Sequence, residues 1–248
     1  MAGSWTIPTS RPAASTRASW SGSSPRRRSR PPVPEVARPL PPRPFLYPIV
    51  DVAALGERAV GSVVAALAAG GAKVVQFRGK GLPDRRFLEL AAEALSAARA
   101  GGAALVVNDR PDVALILGAD GVHLGQDDLD PRAVRTLLPA GTLLGISTHD
   151  LEQLGRAAGE PVDYVAIGPV FPTRSKAAPD PVVGLATVRK ARAVAEGCLV
   201  AIGGITEENA RSVVDAGADG VAVISAVLGH EDLSAAVRRL DVAIGAGR

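Results

Sequence analysis

The sequence predicts an α/β fold: a single closed (β/α)8 TIM barrel over residues 45–248, behind a disordered tail over residues 1–44. Three observations carry this. From residue 45 onward, eight short apolar runs alternate with Ala-rich, charge-flecked stretches of helical texture. Each run is continuously apolar rather than alternating, as a strand buried on both faces of a parallel sheet would be. The chain has 248 residues, close to the ~250 such a barrel uses, so one domain takes up nearly all of it.

The strands fall at Leu46–Val52, Lys73–Arg78, Ala104–Asn108, Gly121–Gly125, Leu143–Ser147, Tyr164–Gly168, Leu199–Gly203 and Gly220–Ser225. Helical patterns lie near 55–69, 84–100, 131–138, 150–158, 184–196, 206–216 and 231–245, and 111–117 can supply only a short helix. Short connections between successive βα units close the sheet on itself. A doubly wound open sheet is the alternative, but it gathers its ligand at one switch point, whereas polar residues here follow most of the strands.

Hydrophobic residues make up 47% and aromatics only 3%, so the core is expected to be Ala, Val, Leu and Ile, which barrel layers favour. The net charge of +3 is unevenly placed: residues 1–44 hold eight Arg and one Glu, leaving −4 for the rest. The basic balance therefore belongs to the tail, and no interleaved basic and aromatic surface suggests nucleic acid. No apolar run approaches the roughly 18–20 residues of a membrane helix. Small molecules are the expected partners, with neither nucleic acid nor membrane, and the cytoplasm is the expected location. The sequence sets no oligomeric state; a homo-oligomer is compatible with it. A lone Cys198, beside Leu199, Val200 and Ala201, excludes an internal disulfide and reads as a core thiol.

The tail holds ten of the twenty prolines, eight serines and almost no large aliphatics. It cannot bury enough apolar surface to offset the entropy of ordering it. Its Arg- and Ser-rich, acid-poor character also describes an organellar transit peptide. The proline density opposes the amphipathic helix such a peptide needs, and favours a solvated tail or an over-extended start of translation.

A parallel barrel keeps its active site at the C-terminal strand ends, and those ends are polar here. Gln76, Arg78 and Lys80 follow strand 2; Asn108, Asp109 and Arg110 follow strand 3; Gln126, Asp127 and Asp128 follow strand 4. Ser147, Thr148 and His149 end strand 5, the loop from Gly168 to Lys176 follows strand 6, Gly203 and Gly204 end strand 7, and Ser225 ends strand 8. Loops after strands 7 and 8 often bind phosphate in barrels, and glycine lets backbone N–H groups approach its oxygens. Arg78 and Lys80, two apart, can both point into the barrel mouth, where Lys176 can join them. Asp109 and Asp128 come from adjacent strand ends, and two close carboxylates call for a proton or a cation between them. With cations nearby, Mg2+ bridging a polyphosphate fits. The competing readings are an Asp109–Arg110 surface pair and Asp128 as a helix N-cap before Pro131. His123 reads as a packed strand residue, and His149 as either a substrate contact or a helix cap. Three histidines without ligand spacing do not suggest zinc.

These segments resemble thiamine-phosphate synthases, a family of (β/α)8 barrels. The resemblance runs from Leu46-Tyr-Pro-Ile-Val-Asp51 to Ile224-Ser225 and includes Gln76-Phe-Arg-Gly-Lys80, Asn108-Asp-Arg110, Gly118-Ala-Asp-Gly-Val-His-Leu-Gly-Gln126, Asp128, Gly145-Ile-Ser-Thr-His149, Gly168-Pro-Val-Phe-Pro-Thr173, Lys176 and Ala201-Ile-Gly-Gly-Ile205. It implies an Mg2+-dependent transferase that joins hydroxymethylpyrimidine pyrophosphate to a thiazole phosphate. On this resemblance Asp109 and Asp128 hold Mg2+, while Gln76, Arg78, Lys80, Asn108 and Lys176 grip pyrophosphate. Ser147 sits by the pyrimidine, and Thr173, Ser175, Gly204, Ile224 and Ser225 hold the thiazole phosphate. Arg78, Ser147 and Lys176 are the implied catalytic residues. Relatives often carry an acidic residue in place of Gly79 and a threonine in place of Ser175.

A thiazole tautomerase, a related barrel, is the nearest rival; it binds one phosphate, and its relatives carry a histidine where this chain has Pro169. A non-catalytic barrel sensing a phosphorylated ligand would show an eroded metal site. An aldolase would want a Schiff-base lysine within a strand, and Lys73, Lys80 and Lys176 lie elsewhere.

Overall fold

The computed structural model describes residues 39–173 and 180–246. Most of the predicted tail, residues 1–38, therefore lies outside the described residues. Eight parallel strands close in sequence order: β1 (Phe45–Asp51), β2 (Val74–Arg78), β3 (Ala104–Asn108), β4 (Gly121–Leu124), β5 (Leu143–Thr148), β6 (Tyr164–Ile167), β7 (Cys198–Ile202) and β8 (Gly220–Val223). The ring is completed by β1 on β8, in register from Phe45↔Gly220 to Pro48↔Val223. Helices α1 (Val60–Gly70), α2 (Asp84–Ala100), α3 (Pro111–Leu117), α4 (Pro131–Leu137), α5 (Leu151–Ala158), α6 (Gly184–Val194), α7 (Ala210–Asp215), α8 (Ser225–Leu228) and α9 (Leu233–Ile244) follow the strands.

The strands are apolar throughout because each serves two cores. Successive side chains point to opposite faces. Phe45, Tyr47 and Ile49 join Val74, Val106, Tyr164, Ala166 and Val200 inside the barrel. Leu46 and Val50 pack outward into the layer shared with the helices. The inner core is less purely aliphatic than composition suggests: Phe45, Tyr47 and Tyr164 fill it, and glycines make room for two of them. A Cβ on Gly145 would lie 2.0 Å from Tyr164 Cζ, and one on Gly220 would lie 2.6 Å from Phe45 Cζ.

A repeated device closes the N-terminal face. Asp120, Asp163 and Asp219 each precede an even-numbered strand and accept the backbone N–H of Leu105, Leu144 and Leu199 in the strand before, at 2.9, 2.7 and 2.9 Å. Arg135 also holds Asp163 (2.6 Å), and Arg192 holds Asp219 (2.7 Å). Arg43 reaches Asp219 at 3.2 Å and Leu40 packs on the inner core, so specific contacts begin before residue 45.

Most strand bounds shift by one residue, and three differences from the sequence reading stand out. A 3-10 turn, Val52–Ala54, follows β1, and Gly56 at φ +61° delays α1 to Val60. The region read as a helix from 206 begins with a turn in which Asn209 Oδ1 accepts the Thr206 N–H (2.8 Å), and α7 starts only at Ala210. Strand β8 stops at Val223, and Ser225 opens the short α8 rather than ending a strand.

Candidate active site

The C-terminal strand ends surround a cavity of about 620 Å³. Gln76, Arg78, Lys80, Asn108, Asp109, Asp128, Ser147, Thr173, Gly204, Ile224 and Ser225 all line it. Ser175 and Lys176 lie outside the described residues. Cys198 is not in this lining; burial pushes its thiol up to about 12, as befits a core group.

On one side the cavity is charged. Arg78, at the end of β2, pairs with Asp51 at the end of the adjacent β1, and Asp51 is buried at 4% exposure. The second carboxylate oxygen of Asp51 accepts the Ala53 N–H at 3.1 Å, which fixes its rotamer. Lys80 Nζ lies 2.7 Å from Asp109 Oδ2. Asp109 has φ +63°, the one non-glycine positive φ among the described residues, and its N–H donates to His123 O at 2.8 Å. Such conformations persist where surroundings over-determine them and cluster at functional sites. Asp128 Oδ2 accepts the Gly125 N–H at 2.6 Å. Burial raises the Asp128 carboxyl above the usual range; Asp109 beside it adds to this, while Lys80 and the Gly125 N–H oppose it.

The competing structural readings of the two aspartates do not hold. Arg110 pairs with Asp84 (2.8 Å) and Asp112 (2.6 Å), not with Asp109. The N-cap of α4 is Asp130, whose Oδ1 accepts the Ala133 N–H at 2.9 Å. Gly79 also has a local reason. A Cβ there would lie 2.7 Å from Leu82 Cδ1 and 3.1 Å from the Phe87 ring, so an acidic side chain would meet an apolar contact.

The opposite side is built by β6, β7 and their loops. Val170 N–H donates to Ile202 O at 2.9 Å and Phe171 N–H to Gly203 O at 3.0 Å, docking the β6 loop on the end of β7. Gly203 (φ +100°) and Gly204 (φ +62°) permit this. Cβ atoms there would lie 2.5 Å from Pro169 Cα and 2.4 Å from Pro172 O. These glycines thus seat a loop as well as opening backbone to the cavity. His149 does not cap α5, which Asp150 caps; its Nδ1 lies 2.8 Å from Gly168 O and 3.5 Å from Asp180 Oδ2.

Sequence reasoning missed most at the floor. His123 is more than a packing residue: its Nε2 is 2.8 Å from Ser147 Oγ and its Nδ1 is 3.0 Å from Tyr164 Oη. Tyr164 Oη is 2.8 Å from Tyr47 Oη, which accepts from Gln76 Nε2 at 3.2 Å. Tyr47, Tyr164 and Asp51 were all passed over. A signal existed: the chain has two tyrosines, and strand alternation places Tyr47 in phase with Asp51, and Tyr164 with Ala166, facing inward.

Comparison with known proteins agrees with this geometry. Residues 46–227 match the family described as thiamine monophosphate synthase. A thiamine-phosphate synthase of Roseiflexus castenholzii is 45% identical over 202 residues, which is 81% of this chain and 89% of the relative. One of Methanoculleus marisnigri is 45% identical over 203 residues, covering 82% and 96%. The solved thiamine phosphate pyrophosphorylase of Pyrococcus furiosus superposes with a TM-score of 0.72 at 38% identity, covering 82% of this chain and 96% of that one. A barrel that keeps paired carboxylates and cations at one side of its mouth, over so long a match, belongs to the thiamine monophosphate synthase family.

Proposed function

We propose that the cavity condenses 4-amino-2-methyl-5-hydroxymethylpyrimidine pyrophosphate with a thiazole phosphate, giving thiamine phosphate and pyrophosphate. Family membership and relatives of about 45% identity support the activity. The observation that supports the assignment of roles is the pairing of Arg78 and Lys80 with Asp51 and Asp109 at the mouth of a cavity whose far side is glycine-rich backbone.

Arg78, Lys80, Gln76 and Asn108 receive the pyrophosphate, and Lys176, outside the described residues, is assigned with them by resemblance. Thr173, Gly204, Ile224 and Ser225 receive the thiazole phosphate, with Ser175 assigned on the same ground. Gly204 offers its backbone, and Ser225 a hydroxyl at the start of a short extra helix after β8, a common phosphate position in barrels. The C–O bond to pyrophosphate breaks as the cations stabilise the departing charge. The amino-substituted ring spreads the positive charge left on its methylene, and the neutral thiazole nitrogen attacks. No strong base is needed; positioning and electrostatic stabilisation carry the rate.

The residues fit a Mg2+ ion. Asp109 and Asp128 offer two carboxylates as oxygen ligands; burial raises the Asp128 carboxyl, and Asp109 beside it adds to this. Among the described residues no set of three or more His, Cys, Asp or Glu could hold a metal alone. That suits Mg2+, which usually takes one or two carboxylates and completes its shell with phosphate oxygens and water. When bound, it would supply charge neutralisation of the leaving group.

The test is product formation from the two substrates with and without Mg2+, using the parent and Asp109→Ala and Asp128→Ala. Thiamine phosphate forms with the parent and Mg2+, and both variants lose at least a hundredfold. Absence of product from the parent would refute the reading, and full activity of both variants would refute the metal site.

A further inference from the structure

The cavity floor holds a continuous buried chain of polar groups: Gln76 Nε2 to Tyr47 Oη (3.2 Å), Tyr47 Oη to Tyr164 Oη (2.8 Å), Tyr164 Oη to His123 Nδ1 (3.0 Å) and His123 Nε2 to Ser147 Oγ (2.8 Å). Both ends, Gln76 and Ser147, line the cavity. Tyr47 and Tyr164 are each 1% exposed, Gln76 2% and His123 6%. Buried polar groups in low dielectric hold their partners strongly, and chains of them polarise one another.

The proton count along this chain is constrained. Each phenol has one proton to donate, and a neutral imidazole carries one N–H. Burial holds both phenols above their ordinary range, so each stays protonated. Gln76 donates to Tyr47, which leaves the Tyr47 proton for Tyr164. Tyr164 then donates to His123 Nδ1. The remaining imidazole N–H is on Nε2 and donates to Ser147 Oγ, whose own proton is free to point into the cavity. At the other end the Gln76 carbonyl is left as an acceptor. Reversing the amide would reverse every bond and exchange donor and acceptor at the two ends. In either direction Gln76 and Ser147 present complementary hydrogen-bonding groups.

We propose that Tyr47, Tyr164 and His123 are positioning residues forming a proton-ordered relay, which couples the hydrogen-bond polarity of Gln76 to that of Ser147 and so selects an amino-substituted nitrogen heterocycle. Such a ring offers an N–H donor and a lone-pair acceptor along one edge. A relay of fixed direction presents one acceptor and one donor to match it. The ring geometry supports the same role: Tyr47 and Tyr164 meet edge to face with centroids 5.8 Å apart, and His123 stacks on Tyr164 at 5.5 Å. Replacing either phenol by phenylalanine keeps the ring packing and removes the hydroxyl, which interrupts the relay as both donor and acceptor. The inference rests on the synthase reading of the cavity.

The experiment measures kcat and KM for both substrates, and for a pyrimidine pyrophosphate lacking the exocyclic amino group, in the parent, Tyr164→Phe, Tyr47→Phe and Ser147→Ala. Circular dichroism and melting curves confirm folding of each variant. The expected result for Tyr164→Phe is a pyrimidine KM about tenfold higher, the size of one hydrogen bond to the ring lost when the relay is cut. The thiazole phosphate KM stays unchanged, and discrimination against the des-amino analogue shrinks. Tyr47→Phe shows the same pattern, and supplies the test if Tyr164→Phe does not fold. If Ser147→Ala weakens the pyrimidine while both tyrosine variants behave as the parent, the relay is refuted and the site reading survives. If Ser147→Ala has no effect on the pyrimidine, the site reading itself fails. A parallel loss for both substrates in the tyrosine variants would make their role merely structural and would also overturn the proposal.

Discussion

Asp51→Asn isolates what holds Arg78. Asp51 uses its two oxygens differently: Oδ1 accepts the Ala53 N–H at 3.1 Å, and Oδ2 takes the Arg78 guanidinium. Asparagine can keep the first bond only by turning its amide NH2 toward Arg78, which sets donor against donor. The pair is largely buried, with side-chain exposures of 18% for Arg78 and 6% for Asp51. A charge-assisted bond in such a place is worth about 1.5–3 kcal/mol. If Arg78 stabilises the departing pyrophosphate only from this pose, that energy converts to a fall of about 10- to 100-fold in kcat/KM. Steady-state kinetics at saturating thiazole phosphate would read it, beside Arg78→Ala and the double variant. If Asp51 acts through Arg78, the double variant matches Arg78→Ala within about twofold, the usual scatter of additivity tests. An unchanged or raised kcat/KM in Asp51→Asn would refute the reasoning. It would mean that Asp51 competes with the substrate for Arg78 instead of aiming it.

Two further predictions concern the scaffold. Asp120→Ala leaves the Leu105 N–H unsatisfied in a buried position, costing about 1–3 kcal/mol with kcat unchanged, and a melting curve alongside a rate measurement checks both halves. The half-buried Asp241 lies beside Gly71, the C-cap of α1, where a Cβ would sit 3.3 Å from its Oδ2; burial raises its carboxyl and Lys73 only partly opposes this. Because the folded state then holds the proton more tightly than the unfolded one, this group's contribution is fullest below the unfolded pKa of about 3.9 and is lost as pH rises through the raised folded value. Asp241→Asn should therefore melt higher than the parent at neutral pH and show a flatter melting temperature against pH above 4, roughly the unfolded value; a lower melting point at neutral pH would contradict this.

What was legible in the sequence follows from what each feature depends on. The strands could be read because burial on both faces makes them apolar at every position, as Leu46 and Tyr47 illustrate by packing on opposite sides of β1. The place of Asp109 and Asp128 in the cavity lining could be read because the strand ends form the mouth in this architecture. Asp51 could not be read as a partner of Arg78 from spacing alone: the pair depends on β1 lying beside β2 in the register Asp51↔Arg78. The relay needs contacts among β1, β2, β4, β5 and β6. The aspartate device was in plain view, since Gly-Ala-Asp-Gly-Val occurs at 118–122 and again at 217–221. Its meaning lies in the backbone bond each Asp makes to a strand more than ten residues earlier. The start of α7 was misread because the Asn209 turn competes locally with helix, as Asn side chains do.

The two ion pairs at the mouth differ in a way that bears on how the site fills. Asp51–Arg78 is buried and doubly anchored, so Arg78 is a fixed cation. Lys80–Asp109 is open, with Lys80 59% exposed, and exposed pairs are worth only about 0–1 kcal/mol. Under the proposed assignment, an incoming pyrophosphate carries more charge than a single carboxylate and would outcompete Asp109 for Lys80. Once Lys80 turns to the substrate, Asp109 stands beside Asp128 with its charge uncovered. Two neighbouring carboxylates in that state repel unless a cation is shared between them. On this reasoning the affinity of the two aspartates for a divalent cation rises when the pyrophosphate arrives, and by reciprocity the cation tightens the pyrophosphate. Under the proposed assignment, the fixed Arg78 would set where the leaving group sits, and the adjustable Lys80 would link its arrival to the filling of the acidic pair.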